Sequence, residues 1–133
     1  MMRDIKFEIM FWVNNRDFTT SIAKHYTTIN RLTNGQDTFD YDSADIVAKR
    51  QFTDLQDKSG VDIYEGDIVE PMDKYSDWLT KGYVVFEHGS FVIKALNPFF
   101  TKSRDQLTAH SNKYKVIGNI HENPELLESN NAK

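Results

Sequence analysis

Cysteine is absent from the 133-residue chain, which excludes disulfides, a thiolate nucleophile and any zinc site built on sulfur. Proline occurs three times and glycine six times, too sparsely for a low-complexity chain, so each one marks a particular turn or strand end. No apolar run approaches the ~20 residues of a membrane-spanning helix. The opening residues carry Arg3, Asp4 and Lys6 before apolar positions begin to alternate, which is not the pattern of a signal peptide. These absences together lead us to expect a soluble protein of the cytoplasm that takes no membrane partner.

An excess of positive charge is missing too. Twenty acidic side chains stand against 16 basic ones, a net charge of −4, whereas sequence-independent nucleic-acid binding draws on several Lys or Arg contacts to phosphate. Nucleic acid is therefore not the expected partner. Catalytic motifs are lacking as well. The histidines His25, His88, His110 and His121 are scattered singly, without the paired spacing of a metal site. Ser90 follows His88-Gly89 in a turn, where neighbouring side chains diverge, and the hydrolase elbow pattern is absent. No glycine-rich phosphate loop occurs. The chain is expected to be no enzyme and to need no cofactor or metal. The acidic stretch with Asp37, Asp40, Asp42 and Asp45 lacks the glycine and closing glutamate of an EF-hand loop and reads as an exposed connection.

What is present points to strands. Aromatics make up 13% of the chain, an enrichment that suits a pleated, half-buried surface. Ile5, Phe7, Ile9, Phe11 and Val13 alternate with Lys6 and Glu8, so a first strand buries one face, and Met10 and Trp12 add an apolar patch to the other. Asn14 to Asp17 is a turn signal. Phe18 to Leu32 reads as strand with room for a short helix, and Asn34-Gly35 closes it. Phe52 to Leu55 and Val61 to Tyr64 flank a Gly60-ended turn. Gly66 makes a second turn before Ile68-Val69, and Pro71 ends that strand. Tyr83 to Phe86 and Phe91 to Ile93 flank His88-Gly89. Residues 72–80 read as a loop holding Trp78. Residues 97–112 read as a long loop, followed by a strand from Tyr114 that Gly118-Asn119 breaks. Asn123-Pro124-Glu125 has the composition of a helix start. The fold class expected is all-β, or β-dominated with small helical elements, its antiparallel hairpins forming a barrel-like core. Length fits a single domain over residues 1–128, with 129–133 a polar, frayed tail.

Two long runs resemble a known family. The stretch from Gln51 to Val69, QFTDLQDKSGVDIYEGDIV, and the ending from Tyr114 to Leu127, YKVIGNIHENPELL, are similar to the signatures of the YopX family of phage and prophage proteins. Arg3 to Phe7 and Val85 to Phe91 resemble two shorter landmarks in the same order. Asp54 departs from the glycine usual there, and Trp12 is followed by Val13 where the family has Asp. The resemblance implies a β-rich fold with a barrel-like sheet, self-association into a homo-oligomer, and an accessory role in a bacterial host cell. It supplies no activity and no site residues to carry over.

Two places remain as candidate interaction residues. Phe99 and Phe100 beside Lys102 and Arg104, within the basic stretch 97–115, combine rings and charge as single-stranded nucleic acid requires. Alternatively the rings enter the core or a subunit interface while the charges face water. Leu126 and Leu127 follow Glu125 in a turn too short to be stable alone, so they need a tertiary contact or a neighbouring subunit. The expected function is a non-enzymatic phage accessory protein that self-associates and binds a host or phage protein. Nucleic-acid binding through the basic stretch is the alternative.

Overall fold

The structure, a computed structural model, describes residues 4–72, 80–96 and 104–127. Of these, 54% lie in strands and 15% in helical turns, which makes the chain β-dominated as expected, with two antiparallel sheets, one of them a curled half-barrel. The chain folds as two compact units, Met1–Phe52 and Thr53–Lys133.

The first unit opens with β1 (Lys6–Asn14) and β2 (Thr20–Thr28), an antiparallel hairpin whose pairs run from Lys6↔Thr28 to Asn14↔Thr20. Its turn is held by Asn15, whose amide donates to Thr19 O at 2.8 Å, and by Asp17, which accepts from the Thr19 hydroxyl at 2.6 Å. A one-and-a-half-turn helix, α1 (Ile29–Thr33), follows, capped by the Thr28 hydroxyl accepting from Arg31 N. β3 (Asp45–Gln56) then pairs with the free side of β1. The sheet order is β2-β1-β3-β4, with β4 at Asp62–Tyr64, so β2 is an edge.

Side chains alternate across a sheet, and both faces of β1 are used. Phe7, Ile9 and Phe11 share a face with Thr27 and His25 across one ladder and with Gln51 and Lys49 across the other. The opposite face corrects the expectation that Glu8 meets solvent. Glu8 is 2% exposed. Its Oε1 accepts from Arg50 Nη2 at 2.7 Å and Nε at 2.9 Å, and its Oε2 accepts from the Tyr26 hydroxyl at 3.0 Å. Arg50 is itself 4% exposed. A charge in mid-strand reads as a solvent position until its partner, 42 residues away, is known. On that same face Met10 is fully buried, whereas Trp12, nearer the hairpin tip, is 45% exposed.

The second unit continues from β3 through the Gly60 turn into β4 (Asp62–Tyr64), then β5 (Asp67–Pro71), β6 (Gly82–Glu87), β7 (Ser90–Ala95), β8 (Arg104–Gln106), the short helix α2 (Leu107–His110), a 3-10 turn at Ser111–Lys113, and β9 (Tyr114–Asn119). The sheet order is β8-β7-β6-β5-β9. Its core joins Ile63, Val69, Val84, Ile93, Leu107 and Tyr114. Residues 97–112 are therefore not one long loop. Arg104 to Gln106 pair with β7, and Leu107 is fully buried, because a leucine amid polar neighbours still gains by leaving water. The expected loop centre at 73–79, with Trp78, lies outside the described residues, as does the 129–133 tail.

Turn chemistry follows the glycines. Gly66 has φ 87°, its amide donates to Val84 O and its carbonyl accepts from Ile120 N. His88 and Gly89 both have positive φ, at 50° and 84°, as the tight hairpin between the paired Glu87 and Ser90 requires. Asp54, standing where a glycine is usual, has φ 67°; Asp is among the few residues that tolerate that region. Gly118 does not break β9. It pairs with Ile68, next to a bulge, and a Cβ there would come within 2.5 Å of Asn123 Oδ1 and 3.0 Å of Leu126 Cδ1.

Two consequences are measurable by denaturant unfolding. Glu8→Ala leaves Arg50 buried without its counter-charge and should cost about 3–5 kcal/mol, whereas removing the exposed pair partner Glu87 should cost under ~1 kcal/mol; equal effects would contradict the burial of Glu8. Gly118→Ala should cost about 1–3 kcal/mol by driving the closing turn away from β9, and a wild-type midpoint would show that the turn does not pack there.

Candidate functional site

The acidic stretch between α1 and β3 does not point outward as a group. Asp37 turns inward and its side chain is 2% exposed. Its Oδ1 lies 2.9 Å from His25 Nε2 on β2 and accepts from the Phe39 amide at 3.0 Å; its Oδ2 accepts from the Tyr41 hydroxyl at 2.5 Å. Asp40, by contrast, caps the exposed Ser43 amide. The carboxylates thus diverge, since Asp37 is drawn inward by its donors while Asp40, Asp42 and Asp45 remain exposed.

Rings enclose the Asp37 carboxylate. Phe39 stacks on the His25 ring at 4.5 Å and meets Phe11 and Tyr41 edge-on at 5.0 and 4.7 Å. Burial pushes the Asp37 carboxyl up, but hydrogen bonds from Tyr41, the Phe39 amide and His25, with the Thr27 hydroxyl close by, outweigh it and hold the group well below the usual carboxylate range. The Tyr41 phenol is pushed up to about 12, first by burial and then by its hydrogen bond to the Asp37 charge. Thr27 Oγ1 is near enough to influence both, yet forms no hydrogen bond of adequate geometry and is fully buried.

Next to this cluster the sheet face is open. A cavity of about 370 Å³ has Phe7 and Ile9 of β1 as its floor, Ile29 and Leu32 of α1 along one side and Tyr41 along another. Thr27 and Lys49 supply its polar atoms. That is the concave, mostly apolar form of a small-molecule site, at the small end of the usual size range. Nothing in the sequence marked it. Its residues are spread over four segments, and only the register of β1 with both neighbours puts Thr27 and Lys49 on one face.

The residues singled out from sequence are placed differently. Phe99, Phe100 and Lys102 lie outside the described residues. Arg104 is on β8 and donates to Glu87 Oε1 at 2.8 Å, which also lowers the Glu87 carboxyl. Leu126 and Leu127 are half-buried in a 3-10 turn, Pro124–Leu127. Ser90 donates to Gln106 Oε1 at 3.2 Å, so its hydroxyl serves the β7–β8 edge.

Buried polar groups explain the two long sequence runs. Asp57 is 5% exposed. One of its oxygens accepts from the Ser59 and Val61 amides, closing the turn, and the other accepts from Val116 N of β9 at 2.9 Å. Asp67 accepts from Tyr64 N across Gly66. Asn119 accepts from the His121 and Glu122 amides, while its own amide donates to Asn123 Oδ1. A family model described as YopX protein matches residues 4–128. The chain belongs to the YopX family. Among solved structures it is similar to protein EF1440 from Enterococcus faecalis, at 32% identity over 90% of this chain and 75% of that one, with a TM-score of 0.44. No curated protein matches it. Within the two long runs, Asp57, Gly66, Asp67 and Asn119 hold backbone groups at turns, and Asp57 ties its turn to β9.

The Asp37 cluster makes a pH-dependent prediction. A carboxyl whose folded pKa is depressed stabilises the fold above the ordinary carboxylate range, and that contribution is lost as pH falls through and below it. Asp37→Asn should therefore lower the melting midpoint at pH 7, and the difference from the wild type should narrow steadily as pH falls from ~4 toward ~2. A constant difference across that range would mean the carboxylate charge is not what the cluster holds.

Proposed function

We propose that this YopX protein is a non-enzymatic accessory protein of phage or prophage origin. It acts in the bacterial cytoplasm by self-association and by binding a host or phage protein. The observation that carries this reading is the edge strand β2. It is nine residues long, and its alternate backbone groups face away from β1; an edge strand of that length is a template for pairing with another chain. The hairpin end beside it exposes two aromatic side chains among polar turn residues. Trp12 is half-exposed and Phe18 is 97% exposed at φ 68°, a costly arrangement for an aromatic side chain unless it meets a partner. A second copy meeting β2 antiparallel would continue the sheet about a two-fold axis and set each copy's hairpin tip beside the Thr28 end of its partner's β2.

The described residues offer other edges less freely. β8 and β4 have three residues each, and the start of β9 already accepts from Lys58 N through Tyr114 O. The absence of an enzymatic role is part of the same proposal. Its support is that Asp37, Asp57 and Asp67 are committed to structural hydrogen bonds.

Light scattering on the purified chain tests this reading. A mass that is a multiple of 15.5 kDa at micromolar concentration is expected, and Trp12→Glu with Phe18→Asp should weaken association by about tenfold or more. A single-chain mass at every concentration would refute self-association. Salt-sensitive retardation of short DNA or RNA would instead favour the basic stretch 97–115, with Phe99, Phe100, Lys102 and Arg104, as the working surface.

A further inference from the structure

We infer that the cavity on the first unit binds a small amphipathic monocarboxylate, an unbranched or aryl chain bearing one hydrogen-bonding group near its far end. Three independent features define the ligand. The floor and α1 side of the cavity, Phe7, Ile9, Ile29 and Leu32, are apolar, so the body of the ligand is hydrocarbon. Ile29 and Leu32 are 40% and 43% exposed, apolar area that an apolar ligand would cover.

Thr27 supplies the second feature. It is 2% exposed, lines the cavity, and its Oγ1 is a buried side-chain atom without a hydrogen-bond partner. A buried hydroxyl left unpaired costs free energy that a partner would recover. Asp37 lies close enough for the hydroxyl to influence it, but no hydrogen bond of adequate geometry joins them. A hydroxyl or carbonyl on the ligand would fill the vacancy.

Lys49 supplies the third. It is exposed, lines the same cavity, and makes no ion pair among the described residues. Its ammonium at the rim selects an anionic head, and a carboxylate is the simplest anion on a hydrocarbon of this size. Thr27 pairs with Phe7 and Lys49 with Ile9 on opposite sides of β1, which separates their Cα atoms by about 12 Å from strand spacing alone. The cavity's 370 Å³ holds roughly 12 non-hydrogen atoms at a water-sized share each. Head and far group therefore sit at the two ends of a chain of about eight carbons, a length set by the same spacing.

Amide correlation spectra of the 15N-labelled full chain test this with four probes below their micelle thresholds: octanoate, its terminally hydroxylated analogue, octanol and octylamine. Octanoate should give saturable shifts confined to amides around residues 7–9, 27–32 and 49, the hydroxylated analogue should bind several-fold more tightly, and octylamine should not bind. Lys49→Gln should weaken both carboxylates about fivefold or more while leaving octanol unchanged. Thr27→Val, which removes only the unpaired hydroxyl, should erase the advantage of the hydroxylated analogue and spare octanoate. Absence of saturable shifts at millimolar octanoate, shifts centred elsewhere, or carboxylate binding indifferent to Lys49→Gln would each overturn the inference. Because Lys49 is exposed, that variant keeps the fold and decides the matter even if Thr27→Val does not. The oligomer mass is read separately, so failure here leaves the self-association reading standing or falling on its own measurement.

Discussion

A carboxylate withdrawn from water needs protein donors in place of the hydration it loses, or it costs several kcal/mol. Both units of this protein are organised around that requirement. In the first, Glu8 gathers Arg50 and Tyr26 on one face of β1, while Asp37 gathers Tyr41, His25 and the Phe39 amide on the other. In the second, Asp57 reaches from the Gly60 turn to Val116 N, tying residues 59 positions apart. Each acid satisfies its oxygens only if distant segments arrive in one register, so each discriminates against slipped pairings that an apolar contact would tolerate.

The first unit shows what this does for function. Asp37 draws the loop after α1 down onto the sheet, but only as far as Tyr41. The aromatic layer of Phe11, Phe39 and the His25 ring ends there, and beyond it the face carrying Phe7, Ile9, Thr27 and Lys49 lies open as a cavity. The same network that covers half the face thus shapes the edge of the pocket. On the remote side, the hairpin tip with Trp12 and Phe18 escapes both networks and stays exposed.

The two long sequence runs and the candidate site lie on different segments of the chain. Asp57, Gly66, Asp67 and Asn119, in the two long runs, are committed to backbone hydrogen bonds in the second unit. The cavity and the β2 edge lie in the first, on segments that carry no long motif. Binding surfaces on loops and edges held by a rigid frame are common, and they are poorly announced by the motifs that build the frame.

Period-two alternation in β1, turn residues at Asn15, Gly60, Gly66 and His88-Gly89, and Asn123-Pro124 ahead of a single turn were legible because they act locally: alternation and backbone dihedrals are properties of neighbouring residues. Long-range facts were not. Glu8 read as a solvent residue because Arg50 stands 42 positions away, and the 104–107 strand and helix start were hidden in a polar stretch that only pairing with β7 and burial of Leu107 organise. Gly118 read as a strand breaker because its local preference is to end strands, and it continues one because Asn123 and Leu126 occupy the space a side chain would need. Sequence by itself determined the class of structure, the turns and the family. Tertiary structure alone decided which charges are buried, which edge is free and where a pocket opens, because those depend on which segments meet, and meeting is a property of the whole fold.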